Sequence, residues 1–187
     1  MLDNLVTFGT RLSRWLVWIG GVLLIGSALL VTTEVVIRKL FNLSIGGADE
    51  ISGYAFAVAT SLAFSFALFE RAHIRVDALY GLFPKGMKFY IDLLGLVLLT
   101  GFAAVVAMMA WQMVGDTITY GSRSITPMRT PLIYPQLPWL IGWLLFVACG
   151  VLIFLAAIAR WLRGDRAGAS DLVGIKSVTE QIEDEVA

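Results

Sequence analysis

The sequence has little charge and almost no cysteine or histidine. Only 15% of its 187 residues are charged and the mean hydropathy is +0.82, whereas about a quarter of the residues in a soluble domain are charged. The single cysteine, Cys149, excludes an internal disulfide and a cysteine-rich zinc or iron–sulfur site. The single histidine, His73, excludes a haem held by two histidines of this chain. The composition therefore indicates an integral membrane protein.

Several classes of function lack the residues they need. Acidic and basic residues number 14 each, so no excess of positive charge indicates nucleic-acid binding. The sequence has no GxxxxGK[ST] phosphate loop and no recognisable catalytic triad. Apart from Glu34, the apolar stretches have no ionisable residue near mid-membrane, and no inverted repeat is found. We therefore expect no catalytic residue, cofactor, metal or nucleic-acid partner, and no transport site in this chain alone.

The apolar residues form four long stretches that are bounded by charge. A helix needs about 20 apolar residues to cross the hydrocarbon core of a bilayer. The sequence therefore predicts an all-α integral membrane protein with four transmembrane helices. Arg11 and Arg14 precede the first stretch, but it is longer than the apolar part of a signal peptide, so we expect a retained helix. The predicted spans are about 15–36, 51–69, 93–115 and 137–159.

The basic residues predict the orientation of the spans. If the amino terminus is cytoplasmic, ten of the 14 basic residues lie on the cytoplasmic side and four lie outside, which favours cytoplasmic locations for both termini. The ten are Arg11, Arg14, Arg71, Arg75, Lys85, Lys88, Arg160, Arg163, Arg166 and Lys176, and the four are Arg38, Lys39, Arg123 and Arg129.

Tryptophans and loop composition complete the predicted domain plan. Indole side chains prefer the membrane–water interface, so we predict contacts with membrane phospholipids for all six: Trp15, Trp18 and Trp161 at the cytoplasmic end, and Trp111, Trp139 and Trp143 at the other.

Residues 77–92 mix apolar and charged side chains, which predicts a short amphipathic cytoplasmic segment between helices 2 and 3. The membrane domain is expected over residues 1–165 and a polar, mobile cytoplasmic tail over 166–187. The prolines of residues 116–136 predict an extended, stiff outer loop.

A few polar or small residues within or beside the spans are candidates for function. Glu34 lies four residues before Arg38, a spacing that favours an ion pair on a helix. Asp49 and Glu50 lie at the start of the second helix. Their negative charge either stabilises the positive end of the helix dipole or contacts a partner. A seam of small residues follows one face of that helix and allows close approach of a neighbour, either internal or another protein. The seam is Ala55, Ala59, Ala63 and Ala67.

The stretch ERAHIRVD, residues 70–77, concentrates charge at the end of the second span. One reading is an ordinary cytoplasmic connection, where basic residues are common. A metal site is poorly supported, because His73 has no cysteine or second histidine to join it. The residues alone leave the role of this stretch open.

Residues 35–79, VVIRKLFNLSIGGADEISGYAFAVATSLAFSFALFERAHIRVDAL, resemble the small membrane subunit of tripartite ATP-independent periplasmic (TRAP) transporters, the DctQ-like family. The likeness consists of an Arg and a Phe-Asn after the first helix, an acidic pair before the second, and a His-Ile-Arg-Val-Asp signature at the next membrane edge. The acidic pair is Asp-Glu where Glu-Glu is more usual in the family. The matching positions are Arg38, Phe41, Asn42, Asp49, Glu50, His73, Ile74, Arg75, Val76 and Asp77.

The resemblance implies a function in transport rather than catalysis. In such systems a periplasmic solute-binding protein (DctP-like) delivers an organic acid to a large permease subunit (DctM-like), which is driven by sodium. The small subunit binds this permease and is its scaffold in the bacterial inner membrane. Arg38, Asp49, Glu50, His73, Arg75 and Asp77 are then expected to be structural or to contact another subunit. Two alternatives are a membrane anchor for a redox complex and a homo-oligomeric channel.

Overall fold

The computed structural model describes residues 2–44, 46–72 and 84–174. Four long helices and one short helix lie in these ranges, with no β-strand among them: α1 (Leu2–Phe41), α2 (Ala48–Phe69), α3 (Lys85–Tyr120), α4 (Ile133–Leu162) and α5 (Arg166–Val173). Each predicted apolar stretch lies inside one of α1 to α4, and all four helices are long and apolar enough to cross a membrane. The prediction of an all-α protein with four candidate membrane spans is confirmed.

The helices are arranged in a row rather than in a closed bundle. Helix α1 packs on α2, α2 packs on α4, and α4 packs on α3. Helix α4 is central, because it also contacts α1 and α5. Much of the apolar surface of α1 and α3 therefore faces outward.

The α1–α2 contact depends on a glycine and one alanine of the predicted seam. Ala59 is only 1% exposed, and a Cβ atom added to Gly20 of α1 would lie 3.1 Å from its carbonyl oxygen. The other seam residues, Ala55, Ala63 and Ala67, are partly buried. Small side chains let the two backbones approach closely. The structure thus places Ala59 against α1 of the same chain, whereas the sequence left open whether the neighbour is internal or another protein.

Two further glycines bring α4 against its neighbours. A Cβ atom added to Gly142 would lie 2.4 Å from Oγ and 2.7 Å from the carbonyl carbon of Ser61 in α2. One added to Gly150 would lie 2.3 Å from Oγ1 of Thr100 in α3. These distances are far shorter than a normal contact. Alanine at position 142 requires α2 and α4 to separate, because the Ser61 carbonyl carbon is a backbone atom, whereas alanine at position 150 requires the Thr100 side chain to move.

Trp143 is partly buried and packs against aromatic side chains of α2 and α4. Its ring packs against Phe64 and Phe146, with centroid separations of 5.1 and 6.2 Å. Its Nε1 is buried and has no hydrogen-bond partner among the described residues. Aromatic packing therefore links this indole to α2, and its role as an interfacial anchor stays a prediction.

The remaining tryptophans divide between exposed and packed positions. Trp15, Trp18 and Trp111 are exposed, as an anchor requires, and Trp139 is partly buried. Trp161 stacks on Phe89 of α3, with centroids 4.1 Å apart and rings 5° from parallel. Trp161 therefore joins α4 to the start of α3 as well as lying at a helix end.

The first part of the predicted mobile tail is ordered as α5. Asp165 begins the helix by accepting a hydrogen bond from the Gly168 backbone at 2.9 Å. Ala169 and Val173, one turn apart, are buried in the core formed with α3 and α4. Arg166–Val173 is therefore helical and packed on the core, and the mobility of the tail stays a prediction; residues 175–187 lie outside the described ranges.

The predicted amphipathic segment at residues 77–92 is also placed only in part. Residues 85–92 form the first two turns of α3 and continue into the membrane-spanning part without a break, rather than forming a separate surface segment. Pro84 comes directly before this helix, a position that proline tolerates. Residues 77–83 lie outside the described ranges.

Three chain segments meet at the end of the row where α4 stops. Arg160 donates to Asp3 Oδ1 from Nη2 at 2.6 Å and from Nε at 3.1 Å, and its Nη1 donates to the Gly168 carbonyl at 3.1 Å. These bonds connect α1, α4 and α5. The Arg160 guanidinium holds the pKa of Asp3, which precedes the apolar stretch of α1, below its ordinary value, so the pair stays ionised at neutral pH. We call this the Arg160 end.

Candidate functional site

The opposite end of the row carries a connected set of polar residues. Here the start of α2 meets the loop between α3 and α4, and we call it the Glu50 end. The loop folds as a hairpin over residues 122–132. In it, the Leu132 N–H donates to the Ser122 carbonyl at 3.1 Å and the Ser124 N–H donates to the Thr130 carbonyl at 2.9 Å.

The hairpin agrees with the prediction of a non-helical, proline-stiffened loop, but only over part of the predicted range. Pro127 and Pro131 lie in it, and Arg129 at its tip adopts a left-handed backbone conformation with φ of 49°. Helix α4 begins at Ile133, so Pro135 lies in its first turn, where the missing N–H costs no helical hydrogen bond. Pro138 lies deeper in α4, which continues through it. The extended loop is therefore shorter than the sequence predicts.

Glu50 holds this hairpin against α2. Its Oε1 accepts a hydrogen bond from the Tyr54 hydroxyl at 2.7 Å, and its Oε2 accepts one from Thr126 Oγ1. Thr126 Oγ1 also lies 2.6 Å from Ser124 Oγ. A carboxylate accepts such bonds strongly because it is ionised. We call this connection from α2 to the hairpin, formed by Glu50, Tyr54, Ser124 and Thr126, the Glu50 latch.

Two neighbouring contacts support the latch. A Cβ atom added to Gly47 would overlap the Met128 side chain, and Gly47 has φ of 99°, so glycine alone suits this turn. Glu34 of α1 is buried and accepts a hydrogen bond from Ser44 Oγ at 2.6 Å. The turn between α1 and α2 is therefore attached to α1 on one side and lies against the hairpin on the other.

The outward side of the hairpin presents two arginines and an exposed isoleucine. Ile125 is fully exposed, and Arg123 and Arg129 are exposed on either side of it along the chain. Tyr120 and Tyr134, at the adjoining ends of α3 and α4, are also exposed. An exposed isoleucine and tyrosines beside positive charge form a surface suited to another protein with acidic residues. We call it the hairpin surface.

The candidate residues named from the sequence fall into three groups. Glu50 is in the latch. Arg38, in the last turn of α1, and Asp49, in the first turn of α2, are exposed. His73, Arg75 and Asp77 lie outside the described residues, so their role stays a prediction.

Sequence reasoning did not find the partners of Glu50. Thr126 is 76 positions away along the chain, and serine and threonine are common in loops, so no local pattern marks them. Among the described residues, no three His, Cys, Asp or Glu side chains lie close enough to hold a metal ion. The chemistry available at the Glu50 end is attachment by hydrogen bonds and charge.

Comparison with known proteins gives one family. The model of the family described as "Tripartite ATP-independent periplasmic transporters, DctQ component" matches residues 27–167. That range contains α2, α3, α4 and the hairpin. A search of curated proteins and a search of solved structures each returned no match. The chain belongs to the DctQ family and is the small membrane subunit of a TRAP transporter.

Proposed function

We propose that this subunit is the membrane scaffold of a sodium-driven TRAP transporter that takes up an organic acid through the bacterial inner membrane. The observation that carries this is the open row of helices, which exposes apolar surface along α1 and α3. ATP-independent uptake needs another energy source, and an ion gradient is the one available to a membrane transporter. The substrate and sodium sites are then in the large, DctM-like permease subunit.

A scaffold has to keep its position while the permease moves. Exposed indoles at Trp15, Trp18 and Trp111 resist displacement along the membrane normal, because each loses apolar burial or headgroup contact when it is moved. Close backbone contact at Gly20, Gly142 and the other crossings makes the row resistant to sliding. No described feature favours a redox anchor or a channel over this role.

Purification of the tagged subunit from its native membranes in mild detergent tests the proposal. We expect a much larger polytopic membrane protein to accompany it in a fixed ratio, identified by mass spectrometry. Sodium-dependent uptake of an organic acid by the reconstituted complex tests the finer part. Recovery of the subunit alone, as a stable oligomer that conducts ions, would contradict the scaffold role.

We further propose that the hairpin surface contacts the periplasmic, DctP-like solute-binding protein. With both termini cytoplasmic, as the basic residues predict, the Glu50 end faces the periplasm. Arg123 and Arg129 then offer positive charge to acidic residues of the docked protein, on a hairpin that the Glu50 latch attaches to α2.

Replacing both arginines by glutamate, Arg123→Glu with Arg129→Glu, is expected to weaken docking about tenfold or more at low salt, because two attractions become repulsions. Binding of the solute-binding protein to the reconstituted complex, measured against salt concentration, gives the result. Arg163→Glu, an exposed change at the Arg160 end, serves as the control and should leave docking unchanged. Equal binding by all three proteins would exclude the hairpin surface as the docking site.

A further inference from the structure

A separate feature lies on the first turns of α1, at the Arg160 end. A surface groove there is lined by Val6, Thr7, Thr10, Arg11 and Arg14. At 3.6 residues per turn, Thr7, Arg11 and Arg14 fall on one face of the helix. The opposite face carries Gly9 and Ser13, which are buried in the row. The groove therefore opens away from α2 and the rest of the row.

The groove concentrates positive charge that its neighbours do not neutralise. Arg11 and Arg14 are exposed, and within the described part of the chain neither is paired with a carboxylate. The nearest acidic residue along the helix, Asp3, is engaged by Arg160. Side chains three positions apart on a helix are neighbours, so the two guanidiniums repel each other unless an anion lies between them.

The hydroxyls of the groove do not supply further donors. Thr7 Oγ1 donates to the Asp3 carbonyl and Thr10 Oγ1 donates to the Val6 carbonyl, each at 3.0 Å. An anion in the groove is therefore held by Arg11 and Arg14. Guanidinium groups suit phosphate because their planar array of N–H donors matches two phosphate oxygens at once.

The same helix face becomes apolar immediately beyond the arginines. Trp18, Val22 and Ile25 continue it into the predicted span and are 68%, 67% and 65% exposed. The change from two guanidiniums to apolar side chains takes about one helical turn, close to 5.4 Å. A ligand that covers this face has to be anionic at one end and apolar along the rest, which describes a phospholipid.

We propose that the α1 groove binds the phosphate of an anionic phospholipid between Arg11 and Arg14, with an acyl chain along Trp18, Val22 and Ile25. This site is independent of the proposed transport function, because it needs neither the permease nor the solute-binding protein. Its expected effect is to fix the tilt and depth of α1, the helix with the least burial inside the protein.

Native mass spectrometry of the purified full chain, titrated with phosphatidylglycerol or with phosphatidylethanolamine, tests the proposal. We expect one copy of phosphatidylglycerol to bind at least tenfold more tightly than phosphatidylethanolamine. In the variant Arg11→Gln with Arg14→Gln that affinity should fall about 25-fold, or about fivefold for each arginine removed. The variant Arg11→Lys with Arg14→Lys should bind with intermediate affinity, because the charge remains but the planar array of N–H donors is lost.

A matched variant, Arg123→Gln with Arg129→Gln, removes two exposed arginines at the Glu50 end and is expected to bind phosphatidylglycerol within twofold of the original chain. Inorganic phosphate at millimolar concentration should not displace the lipid. The proposal is overturned if the glutamine variant at Arg11 and Arg14 binds as the original does, if the matched variant loses as much affinity, or if inorganic phosphate alone competes fully.

Discussion

Gly142→Ala is expected to lower the stability of the folded subunit severely, although it adds a single methyl group. The new Cβ would lie 2.7 Å from the carbonyl carbon of Ser61, an atom of the α2 backbone that cannot rotate away. Helices α2 and α4 would have to separate, and overpacking of this kind typically costs about 1–3 kcal/mol. The loss reaches the whole row because α4 contacts every other helix. Thermal unfolding in detergent and the yield of folded subunit measure the effect.

Gly101→Ala is the matched control for this change. Gly101 is also within a membrane helix, but no atom of the described residues outside its own helix lies within 4 Å of an added Cβ. Alanine is favoured over glycine in a helix by about 1 kcal/mol, so this variant should be as stable as the original or slightly more stable. If the two variants unfold at the same temperature, the close crossing of α2 and α4 is not what stabilises the row.

Glu50→Ala is expected to release the hairpin from α2. The change removes the carboxylate that accepts hydrogen bonds from Tyr54 and Thr126, and Thr126 keeps only its contact with Ser124, within the hairpin. The hairpin should then open more often, and limited digestion with trypsin should cut after Arg123 and Arg129 about tenfold faster, since proteolysis follows the population of the open form. Mass spectrometry of the fragments identifies the site of cleavage.

The neighbouring acidic residue provides the control for this experiment. Asp49→Ala removes the same charge at the start of α2, but the Asp49 side chain is exposed and accepts no hydrogen bond from the part of the chain that the structure describes; Ser52 Oγ donates to its backbone carbonyl instead. We expect its hairpin to be cut at the original rate. Glu50→Gln should be intermediate, because an amide keeps one acceptor oxygen. Faster cleavage in the Asp49 variant alone would mean that general charge, and not the latch, holds the hairpin.

The amino-acid sequence alone determined the fold class, the four spans and the family. The spans can be predicted because hydropathy depends only on neighbouring residues in the sequence. In a membrane, about 20 consecutive apolar residues can make all their backbone hydrogen bonds within the segment only as a helix. All four predicted stretches lie within helices of the structure. The pattern around Arg38, the acidic pair and the residues 73–77 identified the DctQ family, and the match over residues 27–167 confirms it.

The tertiary structure decided which residues meet. Glu50 accepts a hydrogen bond from Thr126, 76 positions away, and Gly142 lies against Ser61 of another helix. It also packed the partly buried Trp143 against α2 and folded the beginning of the tail as the helix α5. A hydropathy pattern specifies which segments enter the membrane but not which helices pack together. Lipid tails are as apolar as the side chains of another helix, so hydrophobicity does not favour one neighbour over the other. The close fit at the glycine positions and the polar contacts at the helix ends determine which helices pack together.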